Sequence, residues 1–136
     1  MQSLFTAEEL ELSYPIIHGV VSSSHPVTLG FVLSQHPDFD VELYDDVVNY
    51  SKDSLHVAYR IKYLEDDTKC LLIKNKGTKE LLYKKYKQVD YLICAMNEEE
   101  INTEIIEIIR KLSGIMICFA LDNPNQKEIL NFMQLQ

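Results

Sequence analysis

Ser22, Ser23, Ser24 and His25 form the densest run of side chains capable of chemistry in the sequence. They stand between an apolar, strand-like run and a helix-like segment. Backbone amides at a helix start attract anions, and neighbouring hydroxyls add donors. Ser23, Ser24 and His25 are therefore candidate anion-binding residues. A serine beside a histidine also suggests a nucleophile with its base, but adjacent residues rarely form that pair and no third partner stands near. The turn lacks the glycines of a nucleotide-binding loop. Its plainer reading is a capped helix with a solvated histidine.

A second grouping is cationic. Lys69, Lys74, Lys76, Lys79, Lys84, Lys85 and Lys87 crowd one segment, opposed there only by Glu80, with Tyr83 and Tyr86 among them. Lysines neutralise phosphates and tyrosines stack on exposed bases, the requirements of RNA binding. They also protect sheet edges and loops from self-pairing. The whole chain carries a formal net charge of -8, which repels nucleic acid. An acidic protein partner, or a second copy of the chain in a homodimer, suits the segment better than RNA does. The candidate binding residues are Lys74, Lys76, Lys84, Lys85, Lys87 and Tyr86.

Other reactive types are dispersed. Asp38, Asp40, Glu42, Asp45 and Asp46 offer oxygens to a hard cation, but the spacing lacks the glycine and terminal glutamate of an EF-hand and reads as a solvated loop and edge strand. No two of His18, His25, His36 and His56 share a helix face. Cys70, Cys94 and Cys118 contain no Cys-x-x-Cys pair, and each falls in a strand-like run, where cysteine packs as a small apolar residue. Cys70, beside Lys69, is the one with a cationic neighbour. No metal and no cofactor is expected. An odd set of unpaired thiols suits a reducing compartment. The first residues carry Glu8, Glu9 and Glu11 and no basic start, and no apolar run approaches a membrane span, so a cytoplasmic protein without membrane contact is expected.

These groups must be positioned by elements that the apolar spacing marks out. The length of 136 residues and 46% apolar content suit one domain, 1–136. Residues 14–21 are rich in β-branched side chains and read as a strand. A helix follows, capped by Ser23 or Ser24, with Pro26 in its first turn and an apolar face of Val27, Phe31 and Leu33, ended by His36-Pro37. Val41, Leu43 and Val47 suit a half-buried strand. Leu55, Val57, Tyr59, Ile61 and Tyr63 alternate along the next strand and share a face. Glu65–Thr68 reads as a hairpin turn, Lys69–Asn75 as its return strand, and Val89–Met96 as a central strand. Asn97 caps a second helix, with Glu98, Glu99 and Glu100 in its first turn and Ile101, Ile105, Ile108 or Ile109, and Leu112 on its apolar face. Ser113-Gly114 stops it before a last core strand, Ile115–Leu121, and the tail suits a short helix or an edge strand. The fold class is α+β: a two-layer sandwich with a mostly antiparallel sheet of five to six strands and two helices on one face.

The stretch Tyr83-Lys84-Lys85-Tyr86-Lys87-Gln88-Val89-Asp90-Tyr91, before the central strand, resembles the motif of the IPExxxVDY family of small Bacteroidetes proteins. Val89-Asp90-Tyr91 matches its second half, while Tyr83, Lys84 and Lys85 replace Ile, Pro and Glu. The run IIHGVVSSSHP, Ile73–Lys76 and the later strand–helix–strand with Asp122 are similar too. The resemblance implies an α+β fold and a bacterial cytoplasmic setting, and it carries no catalytic residue. With no assembled nucleophile, metal cage or phosphate loop in view, the sequence favours a binding module over an enzyme. A protein-interaction domain is the leading expectation; RNA binding through the lysines and anion or small-ligand binding at Ser22–His25 are the alternatives.

Overall fold

The computed structural model describes residues 16–50, 52–96, 101–122, 131–132 and 134–135. In chain order they form β1 (Ile17–Val21), α1 (Pro26–Ser34), β2 (Phe39–Asn49), β3 (Ser54–Tyr63), β4 (Lys69–Lys74), a 3-10 turn (Lys84–Tyr86), β5 (Tyr91–Ala95), α2 (Thr103–Arg110) and β6 (Ile117–Ala120). The strands make one six-stranded sheet in the order β2-β3-β4-β5-β1-β6. Every neighbouring pair is antiparallel. The α+β class and both helices are as the sequence predicts.

Strand side chains alternate between two faces, and here both faces are buried. Leu29 and Leu33 of α1 and Ile105, Ile106 and Ile109 of α2 pack with Val20, Ile61, Tyr63, Cys70, Leu72, Tyr91 and Ile93 on one face. Ile17, Val47, Ala58, Leu71, Ile73, Leu92 and Cys94 point the other way, into a second core with Leu82, Tyr83, Val89, Phe132 and Leu135. β5 is buried at all five positions, which explains its unbroken apolar run.

Several local expectations are corrected. α1 starts at Pro26 with His25 as its N-cap, and no side chain caps it. Its inward face is Leu29, Gly30 and Leu33, while Val27 and Phe31 are 74% and 63% exposed. Gly30 sets this rotation: a Cβ there would lie 2.9 Å from the Tyr59 ring, so the helix gives up helical propensity to lie directly on the sheet. In β2, Leu43 is exposed, and a register shift between Tyr44 and Val47 turns Val47 into the second core. Leu55 and Val57, on the same face of β3 as Ile61 and Tyr63, are exposed beyond the helix-side core, whereas Ser54, His56 and Ala58 on its other face are buried. α2 is capped by Asn102, whose side chain accepts from the Glu104 amide at 2.9 Å. Asn97–Glu100 lie outside the described residues.

The second face is covered by irregular chain between β4 and β5, held by buried polar side chains. Asn75 is fully buried; its Nδ2 donates to the carbonyls of Tyr86 (3.1 Å) and Val89 (3.0 Å), and its Oδ1 accepts from the Tyr83 amide at 2.8 Å. Ser54 Oγ accepts from the amides of Lys79 (3.0 Å) and Glu80 (3.1 Å). Gly77 passes so close that a Cβ would sit 2.3 Å from Ser54 Oγ and 2.5 Å from the His56 ring. Beside this cover, Gln134 reaches the outer edge of β2: its Nε2 donates to Val48 O at 2.8 Å and its Oε1 accepts from Val48 N at 3.2 Å. Asn131 Oδ1 accepts from the Tyr50 amide at 2.9 Å.

Candidate functional site

The serine turn and part of the lysine segment meet at one end of the sheet. Antiparallel pairing sets Val20 of β1 beside Tyr91 of β5, and Tyr91 beside Lys74 of β4. The chain leaving β1 runs through Ser22–His25 into α1, while the chain leaving β4 carries Lys76 and the chain entering β5 carries Lys87 and Asp90. Between them lies an open cleft of about 300 Å³. Its lining includes the Ser22–His25 turn, Lys74, Lys76 and Lys87; Pro26, Leu81 and Val89 supply apolar wall.

Hydrogen bonds fix the turn. Ser22 is buried; its hydroxyl donates to Gly114 O at 2.6 Å and accepts from the Ser24 amide at 3.1 Å. The Ser22 amide donates to Asp90 Oδ2 at 2.9 Å, and the Tyr91 hydroxyl donates to Ser24 O at 2.5 Å. Burial pushes the Tyr91 phenol up to about 12, so it stays protonated and keeps that bond at physiological pH. Ser23 and His25 are exposed at the cleft. No hydrogen bond joins Ser24 to His25 among the described residues, and α1 starts at Pro26, which has no N–H, without a side-chain cap.

The lysine set predicted as one surface divides into two. Lys74, Lys76 and Lys87 line the cleft and form no ion pair among the described residues. Three more pair with carboxylates: Lys79 with Asp53 (3.5 Å), Lys84 with Glu80 (3.5 Å) and Lys85 with Asp122 (2.8 Å), while Lys69 lies outside the cleft at the start of β4. The Lys85 ammonium beside Asp122 holds its carboxyl below the usual range. Tyr86 is half-buried, edge-on to Tyr83 and Phe119, and its hydroxyl donates to Asp122 at 3.1 Å. Tyr83 is fully buried and donates to Asp122 O. Tyr86 is thus packed against the second core rather than presented for stacking.

The remaining candidates stay apart. Cys70, Cys94 and Cys118 are all buried, and burial pushes the Cys118 thiol up to about 11, which opposes the nucleophilic thiolate. Cys70, despite neighbouring Lys69, is fully enclosed in the helix-side core. Glu42 pairs with Arg60 at 2.9 Å, and among the described residues no group of three or more His, Cys, Asp or Glu is placed to hold a metal ion. No helix of the described residues is long and apolar enough to cross a membrane.

Sequence reading missed Asp90 as a cleft residue. Its signal was its place between Val89 and Tyr91 at the entry to a buried strand, where a carboxylate is costly unless it faces out of the sheet. The fold and cleft define a six-stranded antiparallel α+β module with a cationic pocket at one sheet end. Comparison with family models, with curated proteins and with solved structures finds no match.

Proposed function

We propose that this protein is a binding module for a small phosphorylated anion, held where the Ser22–His25 turn faces Lys74, Lys76 and Lys87. The observation that carries the reading is the convergence of these lysines, without carboxylate partners, on the start of α1 in one cleft. The positive end of the α1 dipole adds to the lysine charge, although Pro26, its first residue, has no N–H to donate. Lysine binds phosphate as a point charge and needs no fixed fork geometry, which suits three flexible side chains around an open site. A volume near 300 Å³ matches the lower end of small-molecule sites. Among the described residues, the pairing of Lys79, Lys84 and Lys85 with carboxylates interrupts the basic segment, which favours a small ligand over RNA or an acidic protein surface.

Calorimetric titration with inorganic phosphate and with phosphate esters tests the reading. Binding is expected at low ionic strength, weakened about tenfold or more by Lys76→Ala with Lys87→Ala and unchanged by Lys84→Ala with Lys85→Ala. Equal affinity in both double variants, or no binding by the wild type, overturns it.

A further inference from the structure

Resting on that reading, we infer that the cleft selects a phosphate monoester whose carbon body carries hydroxyl groups, and that Asp90 receives those hydroxyls. The cleft is lined by three lysines and by one carboxylate that none of them neutralises within ion-pairing distance. For a bare anion such a carboxylate is a liability, because it repels the ligand that the lysines attract. Its place makes sense when the ligand brings its own donor. The Ser22 amide anchors Oδ2 at 2.9 Å, and Oδ1 has no partner among the described residues. One oxygen therefore fixes the carboxylate and the other can accept. An ionised carboxylate is acceptor-only, so what it recognises is an O–H or N–H group.

Size and lining give the rest of the ligand. A space near 300 Å³ corresponds to roughly ten water-sized groups, more than a phosphate ion fills. Pro26, Leu81 and Val89 offer the remaining body a carbon surface. The lysines draw the phosphate, the apolar wall takes the skeleton, and Asp90 distinguishes a hydroxylated skeleton from a plain one. An anchored acceptor that a hydroxyl-free ligand leaves to water favours the ligand that brings a hydroxyl. Among the described residues, Lys79, Lys84 and Lys85 beyond the cleft are paired with carboxylates, which disfavours contacts continued toward a polymer.

The test compares glycerol 3-phosphate, propyl phosphate and inorganic phosphate by calorimetry on the 136-residue chain. Glycerol 3-phosphate is expected to bind about tenfold more tightly than propyl phosphate, which differs only in lacking the hydroxyls. In Asp90→Ala, which removes both carboxylate oxygens, the two esters are expected to converge while inorganic phosphate binds as well or better. Equal affinity of the two esters for the wild type overturns the inference and leaves the anion site standing. So does a preference for glycerol 3-phosphate that survives in Asp90→Ala. Failure of all three probes to bind the wild type removes the anion reading itself. The wild-type ranking decides the matter even where the variant folds poorly.

Discussion

The two faces of this sheet are covered by different means. On one, α1 and α2 bring apolar side chains and satisfy their own backbone hydrogen bonds. On the other, the chain between β4 and β5 has little regular structure, so its amides and carbonyls need partners from side chains: Asn75, Ser54 and Asn49 supply them. The helical cover resists through packing, and the loop cover through a few buried polar residues. The cleft sits where the two meet, with Pro26 from one and Lys76 and Leu81 from the other.

The contrast breaks most readily at Asn75. Asn75→Ala leaves the Tyr83 amide and the Tyr86 and Val89 carbonyls without their partner and is expected to cost about 3 kcal/mol or more, read as a lowered urea midpoint. Phosphate affinity should fall with it, because Lys76, Leu81 and Lys87 lie on the loosened segment. Ile105→Ala, on the helical side, is expected to cost a similar 2–4 kcal/mol by cavity formation, roughly, yet leave the cleft unaffected. Loss of binding in both variants would mean that the covers are not separable. Gly77→Ala should cost about 1–3 kcal/mol, since its Cβ meets Ser54 and His56. Asn102→Ala removes the α2 cap and should cost about 1 kcal/mol without altering the opposite face.

The smallest effect is one of pH, and it again divides by face. Burial holds the imidazoles of His56, under the loop cover, and His18, on the helical side, below their ordinary value of 6.5. Above that value both are neutral folded or unfolded, and their contribution to stability is flat. As pH falls below 6.5 the unfolded chain takes up protons first, so stability declines until the lower folded values are passed. Urea melts between pH 7.5 and about 5 should show this slope. His56→Asn, which keeps a donor for the Lys74 carbonyl that His56 Nδ1 contacts at 2.9 Å, should remove the loop-side share, and His18→Asn the rest. An undiminished slope in both variants would place the titration elsewhere.

The sheet and its two helices were legible because apolar alternation and helical spacing are imposed by burial. Tyr91–Ala95 read as a central strand because burial on both faces removes every polar residue. The register of α1 was not legible: Val27 and Phe31 look like a core face, and the reason they are not is a contact between Gly30 and the distant Tyr59. The second core was legible only at Tyr83, which the sequence offers as a core residue, since Leu82, Phe132 and Leu135 lie in segments without apolar periodicity. Both halves of the cleft were visible as separate candidates. Their union depends on β1, β4 and β5 lying side by side, a fact of topology that local spacing does not encode. Which lysines are neutralised depends in turn on carboxylates as remote as Asp122.

The Gln134 side chain offers Val48 one donor and one acceptor, just as a residue of an adjoining strand would. With Asn131 on the Tyr50 amide, Gln134 occupies main-chain groups that a further strand at that margin would use. Removing the last six residues should therefore do more than erode the core at Phe132 and Leu135. It should uncover main-chain donors and acceptors at that margin, so that light scattering is expected to find more self-association in the shortened protein than in the 136-residue chain.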